Sequence, residues 1–279
     1  MKKILLVLFL FLLALAEGQA QNLTLMTYNI RLTLESDEEN VWEQRKDLVL
    51  GQIKEYHPGV IGMQEGLPNQ IAFLNEALSG YTYEGVPRDD GVEKGEHCAI
   101  FYDSTRFRKR EGSTFWLSET PDRPSKGWDA AYTRICTYIL LNNKLTGKSF
   151  WIFNTHLDNR GEEARREALK LILDKMAKVN KNGNPVILMG DFNFEPSSGL
   201  MSLIEVEMKD SRAISRTVPK GPVGTFNGFE WSEFYSRRID YIFLSGESLA
   251  VERYEVIQES QDRKYPSDHF PVLIELAPF

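Results

Sequence analysis

Residues 265–276 read YPSDHFPVLIEL. The second half, Phe270–Leu276, is an apolar run of the kind that fills a core strand. It is entered through Ser267-Asp268-His269, three polar residues that a core strand does not need. A carboxylate beside an imidazole is an acid/base pair, a metal site, or simply a polar turn. The choice depends on whether other strands send matching residues to the same place.

Strand-like runs recur at Leu23–Ile30, Val60–Gln64, Cys98–Tyr102, Arg134–Leu141, Ser149–Asn154, Val186–Met189 and Ile239–Leu244, and more weakly at Tyr81–Val86 and Val251–Ile257. Several end in polar residues. Asn29 and Arg31 bracket the end of the first, Gln64-Glu65 follow the second, and His156 follows Phe150–Thr155. Gly190-Asp191-Phe192-Asn193 follows Val186–Met189, and Asp240 opens Tyr241–Leu244. Each has a bland alternative. Asn29 is also a turn former, Glu65 a charge near a helix start, and Asp191-Phe192-Asn193 an Asx-turn. His156 with Asp158 could be a surface pair, and Arg237-Arg238 a solvated charge run. Asp240 is harder to dismiss, because a carboxylate inside a hydrophobic run is costly unless partnered. Harder still is the number of such residues at strand ends, where the backbone holds side chains rigidly.

Helical periodicity appears in Val41–Tyr56, with Asn40 as N-cap, in Asn69–Leu78, and in Glu162–Val179, where Ala164, Ala168, Leu171, Ile172 and Met176 share a face. Many strands and few helices predict an α+β domain of two packed sheets flanked by helices. No linker or repeat divides the chain, so one domain is expected over residues 21–279.

Residues 1–20 read as a signal peptide, with basic Lys2-Lys3, an apolar run from Ile4 to Ala16, and small residues at Gly18-Gln19-Ala20. The mature protein is therefore expected to be secreted or periplasmic, with no stable membrane insertion after cleavage. Without Lys2, Lys3 and Glu17 the balance moves from 33 basic against 40 acidic residues to 31 against 39, a net charge of −8. So acidic a chain is no bulk electrostatic binder of nucleic acid, and local arginines or a cation must neutralise any anion it handles. The two cysteines, Cys98 and Cys136, lie inside apolar runs and read as buried thiols.

Clustered carboxylates and amides are hard oxygen donors and suit Mg²⁺, or Mn²⁺, bound together with a phosphate. No Cys-x-x-Cys or His-x-x-x-His spacing supports zinc, and no Gly-x-Ser-x-Gly elbow or Walker loop occurs. The residues suit hydrolysis of a phosphate ester by an activated water.

The ordered series TYNIR, GMQE, TRICTY, FNTHLD, GDFN, RRIDYIF and SDHFPV, from Thr27 to Val272, resembles the endonuclease/exonuclease/phosphatase superfamily, which shares the DNase I-like fold. The resemblance implies a four-layer α/β/β/α sandwich with its site where the loops of both sheets meet. It implies Glu65 as principal Mg²⁺ ligand, with Asn29 and Asp268 completing the metal shell. It makes His269 the base that prepares the attacking water and Asp240 the carboxylate holding its ring. It further implies that Asp191 and Asn193 order the nucleophile and a phosphate oxygen, and that His156 contacts phosphate with Glu96 set against it. It implies Arg134 and Arg31 as phosphate-binding arginines, with Asp158 as a weaker neighbour.

The family spans nucleases and phosphatases, and fold does not choose between them. The leading expectation is a Mg²⁺-dependent phosphodiesterase, a nuclease on nucleic acid or nucleotides. The alternative is a phosphatase or phosphodiesterase on a sugar phosphate, inositol phosphate or phospholipid head group. A binding module with a dead site would have lost a core residue, and none is lost. The segment FWLSETPDRPSKGWDAAYTR has no counterpart in DNase I, and its Trp116 and Trp128 either stack on a base or sugar ring or cover the sheet end. A monomer is expected.

Overall fold

The structure is a computed structural model that describes residues 22–246 and 249–278, so the expected signal peptide lies outside the described residues. Its frame is two six-stranded mixed sheets packed face to face. The first has the order β11-β12-β1-β2-β4-β3, formed by β1 (Leu23–Asn29), β2 (Val60–Gly66), β3 (Tyr81–Glu84), β4 (His97–Asp103), β11 (Val251–Val256) and β12 (Val272–Leu276). The second has the order β5-β6-β7-β8-β10-β9, formed by β5 (Phe107–Trp116), β6 (Ile135–Asn143), β7 (Ser149–His156), β8 (Val186–Asp191), β9 (Lys209–Asp210) and β10 (Asp240–Ser245).

Each sheet has one parallel pair at its centre, β1 with β2 and β7 with β8. Strands covered on both faces read as continuous apolar runs, which is why these were legible as strands. Leu25, Val60, Ile100, Ile139, Ile152, Met189, Ile242 and Ile274 fill the space between the sheets. Each such side chain contributes about 1.5–3 kcal/mol by leaving water. The outer face of the first sheet packs against α1 (Trp42–Tyr56) and α2 (Pro68–Ala77) through Trp42, Val49, Ile53, Ile71 and Leu74. The outer face of the second packs against α3 (Glu162–Val179) through Ala168, Leu169, Ile172 and Met176. A short α4 (Met201–Glu205) follows. The layers run α/β/β/α, as expected.

Three local expectations shift. Asn40 does not cap α1; it closes a 3₁₀ turn at Glu35–Asn40, and Val41 takes the cap position without a side-chain bond. On α3 the apolar face includes Leu169 rather than Leu171, which is only half-buried. The strand β5 was not legible, because it lies at a sheet edge with Arg108–Glu111 exposed and lacks a continuous apolar signal. Cys98 and Cys136 are buried free thiols.

Candidate active site

Strand register assembles the site. In the parallel pairs, Asn29 lies beside Gln64 and His156 beside Asp191, while antiparallel β10 sets Asp240 opposite Asp191. The strand β12 runs antiparallel to β1 with Val272 opposite Thr27, which brings Asp268-His269 alongside Asn29. Two backbone devices aim side chains inward. Glu65 sits at φ 64° where β2 bulges against β4, and a bulge re-aims the residue it carries. Gly190 at φ 146° and Asn193 at φ 51° bend the chain on either side of Asp191.

The cleft holds about 700 Å³ and is lined by Glu65, Asp191, Asp268, His269, His156 and Asn193, among others. His269 Nδ1 lies 2.8 Å from Asp240 Oδ2, which also accepts the Thr225 hydroxyl at 2.6 Å. With its Nδ1–H donated to Asp240, the ring presents Nε2 toward Asp191 Oδ2, 3.7 Å away. His156 Nε2 lies 3.0 Å from Asn193 Nδ2 and 3.4 Å from Asp191 Oδ2. The amide of Asn29 donates to Glu65 at 2.9 Å and to Asp191 at 3.0 Å.

The two histidines are driven in opposite directions. Burial opposes the charged form of His269, but the carboxylates of Asp240 and Asp191 outweigh it and push the ring up to about 10. Burial, with the nearby charges of Arg134 and Arg88, holds His156 well below its ordinary value. Burial and the charge of Asp240 raise Asp191 to about 7, and burial and Glu65 raise Glu96 to about 7. A ¹H–¹⁵N titration of the metal-free protein should therefore find His269 still an imidazolium at about pH 8 and His156 neutral at its ordinary midpoint. A His269 that loses its proton near 6.5 would mean that the carboxylates do not act on it as placed.

The donors fit a hard divalent cation. Glu65, His156 and Asp191 offer ligand atoms within 4.8 Å of one another, as do Asp191, Asp240 and His269. Asp240 Oδ1 is buried with no hydrogen-bond partner among the described residues. Gathering buried carboxylates is costly without positive charge among them, and oxygen-rich sites suit Mg²⁺ or Mn²⁺.

Asn29, Glu65, Glu96, Arg134, His156, Asp191, Asn193, Asp240, Asp268 and His269 all reach one region, yet several contacts differ from expectation. The side-chain Oδ1 of Asn29 accepts the Arg31 backbone N–H at 3.1 Å while its Nδ2 donates to Glu65 and Asp191, so in this arrangement Asn29 tethers the carboxylates rather than offering a metal-ligating oxygen. Arg31 is engaged by Asp37 at 2.9 Å and lies 3.9 and 3.8 Å from Glu65 and Asp268, so its guanidinium serves carboxylates. Glu96 is clamped by Arg88 at 2.6 Å and stands 3.9 Å from His156, beyond hydrogen-bond reach. The stacking role of the tryptophans is corrected. Trp116 is buried with its indole N–H on the Arg88 carbonyl, and Trp128 packs against the core beneath α3. The Trp116 ring is committed to covering the sheet end, while Trp128 is half-buried against the same face, and neither lines the cleft.

Arg88, Tyr132 and Thr225 were missed, and Arg237, weighed in the sequence as part of a solvated charge run, lines the cleft. Arg88 and Tyr132 sit in irregular segments with no periodic signal, and Thr225 acts only through Asp240. Arg134 is 5% exposed, bonded to Asp158 at 3.4 Å, and its Nη1 has no hydrogen-bond partner among the described residues. Arg88 and Arg134 both lie over the ring of Tyr132, at 5.4 and 5.6 Å.

A Bacteroides thetaiotaomicron mannosyl-6-phosphatase has a similar structure, with 39% identity, a TM-score of 0.86, and coverage of 91% of this chain and 99% of that one. An uncharacterized protein of Acanthamoeba polyphaga mimivirus is 34% identical over 159 residues, 54% of this chain and 59% of its own. The Ccr4 exoribonuclease subunit of the CCR4-Not complex from Mycosarcoma maydis is 23% identical over 297 residues, 82% of this chain and 44% of its own. The chain thus spans about half the length of these two curated relatives. The model of the endonuclease/exonuclease/phosphatase family matches residues 26–269. With a matching fold and this spread of relatives, the chain belongs to the endonuclease/exonuclease/phosphatase family.

Proposed function

We propose that this chain is an exported, Mg²⁺-dependent phosphomonoesterase whose substrate is a phosphorylated sugar. The observation that carries this reading is the arginine end of the cleft. Arg134 lines it and has a buried Nη1 with no hydrogen-bond partner among the described residues, and Arg88 lies over the same Tyr132 ring. A terminal phosphate carries up to two negative charges and three free oxygens, so it rewards paired guanidiniums more than a singly charged diester does. Similarity to a mannosyl-6-phosphatase over nearly that whole chain supports the sugar leaving group. The net charge of −7 disfavours a polynucleotide, against the nuclease expectation. Export rests on the sequence of residues 1–20; among the described residues no helix is long and apolar enough to cross a membrane.

In this reading Glu65 and Asp191 would hold the cation, which when bound would offset charge on the phosphoryl oxygens. Asp240 fixes the His269 tautomer, and a cation held beside Asp191 would offset the carboxylate charge that keeps the metal-free ring protonated, so that a neutral Nε2 takes a proton from the attacking water. Arg134 and Asn193 orient the phosphate, and Arg88, held by Glu96, adds positive charge beside Arg134. The water oxygen forms the new P–O bond as the ester P–O bond breaks, and the leaving alkoxide takes a proton from solvent water, giving the free alcohol and inorganic phosphate while His269 returns its proton to solvent.

The test compares p-nitrophenyl phosphate, mannose 6-phosphate, bis(p-nitrophenyl) phosphate and single-stranded RNA, with Mg²⁺ or with EDTA. Monoesters should turn over in Mg²⁺ only. Arg134→Gln should lower their kcat/KM by about 10–100-fold, the loss of one charged hydrogen bond worth about 1.5–3 kcal/mol, and leave the diester little changed. Faster turnover of RNA than of either monoester would return the protein to the nuclease reading.

A further inference from the structure

Arg45 lies on α1, outside every motif that marks the site, and is 2% exposed. A buried arginine usually faces a carboxylate. The hydrogen bonds of this one all end on backbone carbonyls. Its Nε donates to Asn40 at 2.8 Å, its Nη2 to Arg31 and to Leu32 at 3.2 Å, and its Nη1 to Ile30 and to Pro266 at 3.2 Å.

Those acceptors belong to two separate segments. Ile30, Arg31 and Leu32 follow Asn29, and the Leu32 N–H in turn donates to Glu65 Oε2 at 3.2 Å. Pro266 precedes Ser267-Asp268-His269 and lies 221 residues from Arg45 in sequence. A single nitrogen, Nη1, therefore ties the carboxylate side of the cleft to the imidazole side. The guanidinium also lies over Trp42 at 5.3 Å and over Phe229, a wall of the cleft, at 5.8 Å. A rigid planar fork with five N–H donors can serve two loops at once, whereas a lysine ammonium cannot reproduce that geometry.

We infer that Arg45 is a positioning residue: it sets the distance between the Asn29–Glu65 segment and the Asp268–His269 segment through their main chains. The kinetic part of this inference rests on the proposed phosphomonoesterase reading; the structural part does not.

Two measurements on Arg45→Lys and Arg45→Ala separate the parts. In hydrogen–deuterium exchange, peptides covering residues 30–34 and 265–269 should exchange faster in Arg45→Lys, with α3 and the β6–β8 strands unchanged. Loosening by about 1 Å can cost about 10²-fold in rate, so kcat for p-nitrophenyl phosphate should fall by about that factor with KM nearly unchanged. Millimolar guanidinium, but not equal NaCl, should restore part of the kcat of Arg45→Ala. Wild-type failure on the ester would count against the proposed function alone, and exchange would still decide the role of Arg45. Unchanged exchange in both peptides, an Arg45→Lys chain that does not fold, or an active wild type whose Lys variant keeps its kcat within about twofold, overturns the inference.

Discussion

Replacing His269 with alanine should lower kcat for a phosphomonoester by about 10²–10⁴-fold, the usual worth of a positioned proton acceptor. His269 is the imidazole whose Nδ1 is held at 2.8 Å by Asp240, leaving Nε2 toward the carboxylates of the cleft. His156 cannot take its place, because its Nε2 already faces Asn193 and its ring sits on the arginine side. The substitution strips the Asp240 carboxylate of its imidazole partner and leaves it the Thr225 hydroxyl, which itself accepts the Ile239 and Asp240 N–H groups. Removing one partner of a buried pair can cost about 3–5 kcal/mol of stability. The folded fraction must therefore be measured by circular dichroism, and His269→Gln compared with it. A folded variant turning over as fast as the wild type would remove His269 from the mechanism.

Gly190→Ala should destabilise the protein by about 3–5 kcal/mol, at the upper end of single-substitution effects. Gly190 has φ 146°, and a Cβ there would lie 1.9 Å from the carbonyl oxygen of Thr155 on the neighbouring strand. The obstacle is backbone in the centre of the second sheet, so no rotamer change relieves it. Thermal denaturation should show a fall of about 6–20 °C at the rate of roughly 2–4 °C per kcal/mol for a chain of this size. Gly199→Ala is the control, since nothing lies within 4 Å of its added Cβ and its φ is ordinary. Equal melting temperatures for the two variants would show that the turn before Asp191 is not constrained as described.

The strands covered on both faces were legible because an unbroken apolar run is a local property. The edge strand β5 was not, because its exposed face carries Arg108, Lys109 and Arg110 and its pairing with β6 comes from residues about 30 positions away. Asn40 looked like a helix cap by residue type, but the carbonyl of Asn40 is taken by Arg45 and the turn before it is 3₁₀. Arg31 and Arg134 looked alike in sequence. Asp37 occupies one, while the other keeps a free buried Nη1, and only the fold distinguishes them.

From the sequence alone came the two-sheet architecture and the polar residues that end its strands, because both are written in patterns a few residues long. Which of those residues meet is a matter of register between distant segments. Asn29 meets Asp191 across 162 positions and His269 across 240. The partners of Arg88 and Tyr132, the retirement of Trp116 and Trp128 to the sheet end, and the reach of Arg45 into two loops were decided there, by packing that no local periodicity records.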